Sequence, residues 1–449
     1  MEKSLASLCN QRVPRYTSYP TAPHFGNDVD GGVYGTWLSR LGASEALSLY
    51  LHVPFCRTLC HYCGCHTKVS NKADRIASYG DLLVREMETV ARFLGGKRPL
   101  THIHWGGGTP SLMPADAFMQ IVQAIRTHFD ATSMREHAME LDPREVTPQL
   151  AELLAAVGIN RASLGVQEFS PLVQRAIGRL QPVGTVANAM KALNSAGITR
   201  INFDLMYGLP MQTTRDVRRT AALAVQLAPS RIALFGYAHV PWFARNQKLI
   251  DEKTLPNTEE RFEQAEAAAA ILEQSGYVRI GLDHYALPDD EIAVALGTGA
   301  LARNFQGYTT DTAKSLIGLG SSSISRVPKG YAQNTPDMAA YRRIVEAGEL
   351  PVTRGRAFSD DDLVRGAVIE RLMCDMRVDL DGVAADFGVD RTALQPNSEP
   401  LTSLTENGLA EFDGHVLTMT ERGRPFVRMA AASFDAYMAN SGARHSQAV

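Results

Sequence analysis

The sequence predicts an α/β protein whose parallel sheet closes into a full or partial barrel. An irregular arm precedes the barrel, and a small, mostly helical, winged-helix-like module follows it. Three observations lead there. From about residue 46, short apolar runs alternate with helical stretches, the order that right-handed βαβ crossovers impose on a parallel sheet. At least six such units follow one another, enough to curl a sheet. Near Ser359 the pattern changes to helices and an Asp413-Gly414 hairpin turn. The expected division is 1–45 for the arm, 46–355 for the barrel and 356–449 for the C-terminal module.

The elements are read in chain order. Residues 1–45, rich in Tyr, Pro, Gly and Asp, read as irregular. Leu47–Val53 is the first strand, and a cysteine-rich loop follows it. Then come a helix over 76–93, a strand over 101–105, a helix over 115–129 and a strand over 137–141. The alternation continues with a helix over 147–157, a strand over 161–166, a helix over 183–196 and a strand over 200–206. A helix over 214–227, a strand over 231–238, a helix over 257–275 and a strand over 278–284 complete it. Ser359 before Asp360, Asp361 and Asp362 signals a helix start, with acidic residues near the positive end of the helix dipole. Helices over 363–373, 380–387 and 401–410, a hairpin over 411–420 and a last helix over 422–438 are expected beyond it. In such a barrel the chemistry lies on the loops at the C-terminal strand ends.

Composition narrows the function. The chain has 449 residues, 45% hydrophobic and 21% charged, with a formal charge of −3, so a core of normal size is available and no global field draws in nucleic acid or an anionic membrane. The winged-helix-like shape is no evidence for DNA binding at that charge. The N-terminus shows no apolar leader, and no apolar run of about 18 residues predicts a membrane span. Clustered cysteines suit a reducing cytoplasm better than a secreted disulfide framework. Cys9 and Cys374 stand apart and read as buried thiols.

The sharpest signal is Cys56-x₃-Cys60-x₂-Cys63, with Cys65 one residue further on. Three thiolates at those spacings can hold three corners of a cubane iron–sulfur cluster and leave the fourth iron open to a reactant. A zinc site is the alternative, since His52, His61 and His66 lie nearby, although no second pair of cysteines is present to complete it. The single-residue gap between Cys63 and Cys65 strains joint ligation, so Cys65 is expected to be a neighbour and not a ligand. Gly106-Gly107-Gly108-Thr109-Pro110 lets the backbone approach a ligand, or it is only a strand-to-helix turn. Glu140, Asp142, Gln167, Asp204 and His239 fall at expected strand ends, where ligands collect, though each could also cap a helix. Arg179 could pair with a ligand carboxylate or form a surface ion pair.

Taken together, these residues resemble the radical S-adenosylmethionine enzymes and, within them, the oxygen-independent coproporphyrinogen III oxidases. The similarity runs over nearly the whole chain: Pro14–Pro20 (PRYTSYP), Leu51–Cys56 (LHVPFC), His104–Pro110 (HWGGGTP), Glu140–Glu145 (ELDPRE), Gly165–Gln167, Asp204–Pro210 (DLMYGLP), Tyr237–His239, Asn304–Thr310 (NFQGYTT) and Tyr331–Asn334 (YAQN). The resemblance implies a radical S-adenosylmethionine type of partial barrel, with Cys56, Cys60 and Cys63 ligating one 4Fe–4S cluster. It implies two S-adenosylmethionine molecules. The first would lie near Tyr50, Tyr62, Gly107, Glu140 and Ile324, and the second near Gly108, Thr109, Gln167, Arg179, Asp204 and Ala238. Tyr62 stands where such loops often carry Phe, and either ring can pack on adenine.

The implied reaction turns two propionates of coproporphyrinogen III into vinyl groups, giving protoporphyrinogen IX, by way of a 5′-deoxyadenosyl radical. An unidentified electron donor and acceptor, and a monomer, are implied as well. A haem-binding or haem-trafficking relative on the same scaffold is the alternative function. Such relatives generally lack the Pro14–Pro20 motif and Cys65, both present here. Four substrate carboxylates call for cations and donors, for which Arg15, Tyr16, Tyr19 and His52 are the candidates.

Overall fold

The computed structural model describes residues 8, 9 and 11–438. Its centre is a twelve-stranded sheet. Numbered along the chain, the strands are β1 (Leu47–Val53), β2 (Leu100–Gly107), β3 (Glu136–Leu141), β4 (Arg161–Gln167), β5 (Arg200–Tyr207), β6 (Arg231–Gly236), β7 (Val278–Ile280), β8 (His284–Ala286), β9 (Ser315–Leu319), β10 (Ile324–Val327), β11 (Gly330–Asn334) and β12 (Val352–Ala357). Their spatial order is β12-β11-β10-β9-β1-β2-β3-β4-β5-β6-β8-β7. From β9 through β1 to β6 every neighbour is parallel, so seven strands point their C-terminal ends the same way. Both flanks are antiparallel, and β7 and β12 are separate edges, which leaves the barrel partial.

The parallel strands form because their residues can be buried on both faces. All but one residue of β1 is buried, as a strand covered by helices on one side and by the barrel interior on the other requires. The helices Ala73–Leu94, Ala115–His128, Pro148–Ala156, Val183–Ser195, Thr214–Leu227 and Thr258–Gln274 return the chain between strands. Reciprocal capping boxes start three helices: Thr213 with Asp216, Asn257 with Glu260, and Ser359 with Asp362. The last of these is the helix start expected from the acidic run after Ser359.

Four expectations are corrected. The arm is not wholly irregular, since Gly31–Ser39 is a helix capped by Asp30, whose side chain accepts from Val33 N. Its two opening glycines hide it from a propensity reading. The strand expected over 278–284 breaks at Gly281, whose φ of 53° reverses the chain and sets β8 antiparallel to β6 and β7. The four strands β9–β12 went unread because they are short and interrupted by Gly, Ser and Arg. The last helix shrinks to Val427–Ala432, preceded by a 3₁₀ turn at Arg424–Phe426 where Gly423 and Pro425 interrupt the pattern.

Two large apolar clusters organise the molecule. One fills the space between the sheet and its helices, and includes Trp105, Tyr79, Phe203 and Tyr341. The other joins the helix Asp360–Asp375 and its followers to the arm, with Leu8, Val13, Tyr16 and Tyr19 packed beside Leu372, Phe426 and Phe434. Tyr16 Oη donates to Asp435 at 2.9 Å, and Arg428 Nη2 donates to Val13 O at 2.9 Å, so the arm is tied to the far end of the chain. A three-stranded sheet (Arg377–Asp379, Val416–Met419, Ala410–Phe412) completes the C-terminal region. The antiparallel flank is fastened by Glu86, which accepts from Gly320 N at 2.7 Å, Asn334 Nδ2 at 2.6 Å and Tyr341 Oη at 2.5 Å. Burial lifts its carboxyl to about 7 against those three donors. No helix among the described residues is long and apolar enough to cross a membrane.

Candidate active site at the mouth of the barrel

The loop after β1 crosses the C-terminal end of the sheet. It is short of regular structure, so its backbone groups need partners from elsewhere. Cys56 and Phe55 pair with Lys68–Val69 in a two-residue ladder. His61 N donates to Ile177 O at 2.9 Å. Asn246 Nδ2 lies within 3.0, 3.1 and 2.8 Å of the carbonyls of Cys60, His61 and Cys63. Gln247 Nε2 donates to Tyr62 O at 2.8 Å while its Oε1 accepts from Val240 N at 2.6 Å. These two amides clamp the loop. Sequence reasoning missed them because they stand in a short 3₁₀ helix, Arg245–Leu249, far downstream of the loop with no motif around them.

All four thiols of the loop line one cavity of about 600 Å³, a size typical of cofactor sites. Cys60 is buried, Cys56 and Cys63 are half-buried, and Cys65 is exposed to the cavity. Thr109 Oγ1 donates to Cys56 Sγ at 3.7 Å, and Arg179 Nη1 reaches Cys60 Sγ at 3.6 Å. Burial raises the Cys56 thiol to about 11. The Cys63 and Cys65 side chains share a hydrogen bond that lowers Cys63 and raises Cys65. Cys56, Cys60 and Cys63 each therefore have a donor beside the sulfur, from Thr109, Arg179 and the Cys65 thiol.

Next to the loop, the glycine turn comes as close to its neighbours as backbone can. A Cβ on Gly106 would lie 2.7 Å from Glu140 Oε1, and one on Gly108 would lie 2.5 Å from Phe55 O. Gly107 has φ 109°, and a Cβ there would meet the His52 ring. Its amide donates to Glu140 Oε2 at 3.1 Å, and His104 Nε2 lies 3.2 Å from Glu140 Oε1. Burial pushes the Glu140 carboxyl up, but His104 and the Gly107 amide outweigh it and hold it below the usual range.

Across the cavity, Gln167 has φ 67° at a register shift in β4. Arg179 is fixed by Gly165 O at 2.8 Å and Asp142 Oδ2 at 3.2 Å. Asp204 accepts from Ser163 Oγ at 3.0 Å and Asn202 Nδ2 at 2.9 Å. Burial first, then the Glu140 charge, lifts Asp204 to about 6.

Of the residues singled out from sequence, Cys56, Cys60, Cys63, Cys65, Tyr62, Gly107, Gly108, Thr109, Glu140, Asp142, Gln167, Arg179, Asp204 and Ala238 line this cavity. Tyr50 and Ile324 do not. Tyr50 Oη bonds His52 Nδ1 at 3.0 Å, its ring stacks on His104, and Ile324 packs on Gly318, the register partner of Tyr50. His239 faces a neighbouring cavity and bonds Tyr237 Oη and Glu252. Tyr16 and Tyr19 are buried against the C-terminal region, and His52 is buried under the loop with Nε2 3.1 Å from His66 O. Arg15 alone among the four substrate-facing candidates reaches the cavity wall.

The three thiols with their donors, on the rim of a roomy cavity at the C-terminal strand ends, fit an iron–sulfur cluster with space beside it for a cofactor. Comparison with known proteins points the same way. The radical SAM superfamily profile matches residues 50–224, and that of the HemN C-terminal domain matches residues 358–426. The chain is 45% identical over 99% of its length to the oxygen-independent coproporphyrinogen III oxidase of Bradyrhizobium diazoefficiens, of which it covers 98%. It is 37% identical to the like-named protein of Pseudomonas aeruginosa, over 95% of this chain and 93% of that one. A solved structure described as coproporphyrinogen III oxidase (HemN) from Escherichia coli, a radical SAM enzyme, superimposes with a TM-score of 0.89 at 34% identity. It covers 95% of this chain and 100% of its own.

Proposed function

The chain belongs to the oxygen-independent coproporphyrinogen III oxidases of the radical SAM superfamily, and from that premise we propose how its residues divide the work. Its activity is the oxidative decarboxylation of two propionates of coproporphyrinogen III to vinyl groups without oxygen, in haem biosynthesis. The family brings a 4Fe–4S cluster and S-adenosylmethionine. We assign the cluster to Cys56, Cys60 and Cys63, and keep Cys65 outside the ligand set. When bound, cluster and S-adenosylmethionine would together supply the one-electron radical chemistry that removes hydrogen from a propionate β-carbon.

The protein supplies position and protection. The Asn246 and Gln247 clamps fix the loop backbone so that the three sulfurs keep one geometry. Thr109 and Arg179 donate toward Cys56 and Cys60, which steadies thiolate charge. Glu140, held ionised, accepts from a cationic cofactor group, and the bare backbone at Gly106–Gly108 admits its close approach. We assign Tyr50, Tyr62, Gly107, Glu140 and Ile324 to a first S-adenosylmethionine. A second falls to Gly108, Thr109, Gln167, Arg179, Asp204 and Ala238. Tyr50 and Ile324 then act from behind the wall by holding His52, His104 and Gly318 in place. Depth within the barrel keeps water and stray hydrogen donors from the reacting carbon. Four clustered thiols suit the reducing cytoplasm, where we place the enzyme as a monomer served by a separate electron donor and acceptor.

The observation that carries this reading is the convergence of three thiols on one cavity rim, beside Glu140, at the C-terminal ends of the parallel strands. Anaerobic protein reconstituted with iron and sulfide, then given reductant, S-adenosylmethionine and coproporphyrinogen III, should yield vinyl product. Zinc without iron or sulfide in anaerobically purified protein, or tetrapyrrole binding without turnover, would contradict it.

A further inference from the structure

A second cavity of about 320 Å³ adjoins the thiol-lined one and shares Arg15, Phe235, Gly236, Tyr237, Ala238 and Val240 with it. The two walls differ in chemistry. Here six arginines, Arg12, Arg15, Arg261, Arg279, Arg303 and Arg428, face two carboxylates, Glu266 and Asp283. Both carboxylates have partners already. Glu266 lies 3.7 Å from Arg279 Nη2, and Asp283 bonds His284 Nδ1 at 2.8 Å.

Arg15, Arg261 and Arg303 are held in place mainly by neutral groups, and Asp283 is the pocket carboxylate whose charge reaches Arg15 and Arg303. Arg15 Nη2 donates to Gly236 O at 3.0 Å. The Arg303 guanidinium lies 4.4 Å over the Tyr308 ring and donates to Tyr16 O at 3.3 Å. Arg261 lies 5.7 Å from the Tyr207 ring centre and packs on Gly236, where a Cβ would come within 3.2 Å of its Nη2. Its Nε and the Nη1 of Arg303 are buried with no acceptor among the described residues. Burial, and beyond it the nearby Arg15 charge, pushes Arg428 down to about 10. Guanidinium groups gathered this way cost free energy unless an anion joins them, and a carboxylate matches their planar fork.

We infer that this pocket is a carboxylate-anchoring subsite in which Arg15, Arg261 and Arg303 hold propionates of the substrate that are not reacting. The shared wall lets one tetrapyrrole span both cavities, with one propionate at the thiol-lined mouth and others among the arginines. The inference rests on the function proposed above. It adds a reason for selectivity: a tetracarboxylate engages the pocket more fully than a product that has lost two carboxylates.

The test uses the anaerobic, cluster-loaded protein and a stable probe, coproporphyrin III, with deuteroporphyrin as a two-propionate comparison. Fluorescence titration should show tighter binding of the four-carboxylate porphyrin. Arg261→Gln and Arg303→Gln should each weaken coproporphyrin binding about tenfold or more and shrink the preference. Arg261→Lys should recover part of the loss. In turnover, KM for coproporphyrinogen III should rise in parallel while kcat changes far less, and S-adenosylmethionine affinity should hold. Unchanged porphyrin affinity in both glutamine variants would overturn the subsite. So would an equal loss of S-adenosylmethionine affinity, which would assign the arginines to that cofactor's carboxylate. Failure of wild-type protein to form vinyl product would instead strike the functional reading, because the porphyrin titration is read without turnover.

Discussion

The two ends of the parallel sheet treat buried charge in opposite ways. At the N-terminal end, Arg161 and Arg231 begin β4 and β6. Arg161 Nε donates to Glu136 at 2.6 Å, and Arg231 Nε donates to Asp290 at 2.7 Å. Positive and negative groups there match one another, and Arg161 and Arg231 together hold Glu136 below the usual carboxylate range against its burial. The same cavity reaches both ends, but Glu140 and Asp204, which line it beside the thiols at the C-terminal end, are held by hydroxyl, amide and imidazole donors and not by arginines. Both ends are rich in titratable residues, so charge density does not identify the site. The C-terminal end is set apart by chemistry left available to something that is not protein.

The comparison can be broken from either side, and the largest effects are expected at the mouth. Replacing Cys56, Cys60 or Cys63 by Ser should bring vinyl formation to background and deplete bound iron, while the denaturation midpoint of the apoprotein moves little. A large loss of stability would mean that these thiols serve the fold. Arg161→Ala should show the reverse. Leaving Glu136 buried without its hydrogen-bonded arginine should cost about 3–5 kcal/mol in chemical denaturation. Protein that still folds should load iron normally, and an unfolding free energy equal to wild type would count against the matched pair.

Smaller effects sharpen the contrast. Glu140→Gln should weaken S-adenosylmethionine binding by roughly 10–100-fold, the range for losing a charged hydrogen-bond acceptor, with a stability change under about 1 kcal/mol. Equilibrium dialysis on the loaded protein checks it, and wild-type affinity would remove Glu140 from the cofactor site. Asp204 should give the gentlest signal. Its carboxyl is lifted to about 6 in the folded chain from about 3.9 when unfolded. Between those values the folded state holds more protons, so this group's contribution to stability falls as pH rises through the window and is constant outside it. Asp204→Asn should flatten the stability slope between about pH 4 and 6, and an unchanged slope would contradict the shift.

Legibility followed the range of the interaction. The βα alternation was visible because each strand and helix carries its own pattern, and Cys56, Cys60 and Cys63 were visible because one short loop holds all three. Gly106–Gly108 and the strand-end carboxylates could be placed on one rim because parallel topology fixes which ends converge. The antiparallel flank was hidden, since β10 and β11 make sense only when paired with each other and fastened by Glu86 from a distant helix. The loop clamp was hidden for the same reason, because Asn246 contacts Cys60 and Cys63 only in the folded chain. Arg15, Arg261, Arg303 and Arg428 come from four separate segments, and no local pattern links them. Tyr16 and Tyr19 show the opposite error: their motif marked them for substrate, and burial beside Asp435 gives them to the packing of the arm.

The central claim is that three thiols, and not four, hold the cluster at the mouth. Mössbauer spectroscopy of anaerobic protein reconstituted with ⁵⁷Fe tests it most directly, on wild type and on Cys65→Ser, with and without S-adenosylmethionine. The expected result is a four-iron cluster in both proteins, with one iron site alone shifting when S-adenosylmethionine is added. Four iron sites that all ignore S-adenosylmethionine, or loss of the cluster in Cys65→Ser, would contradict it.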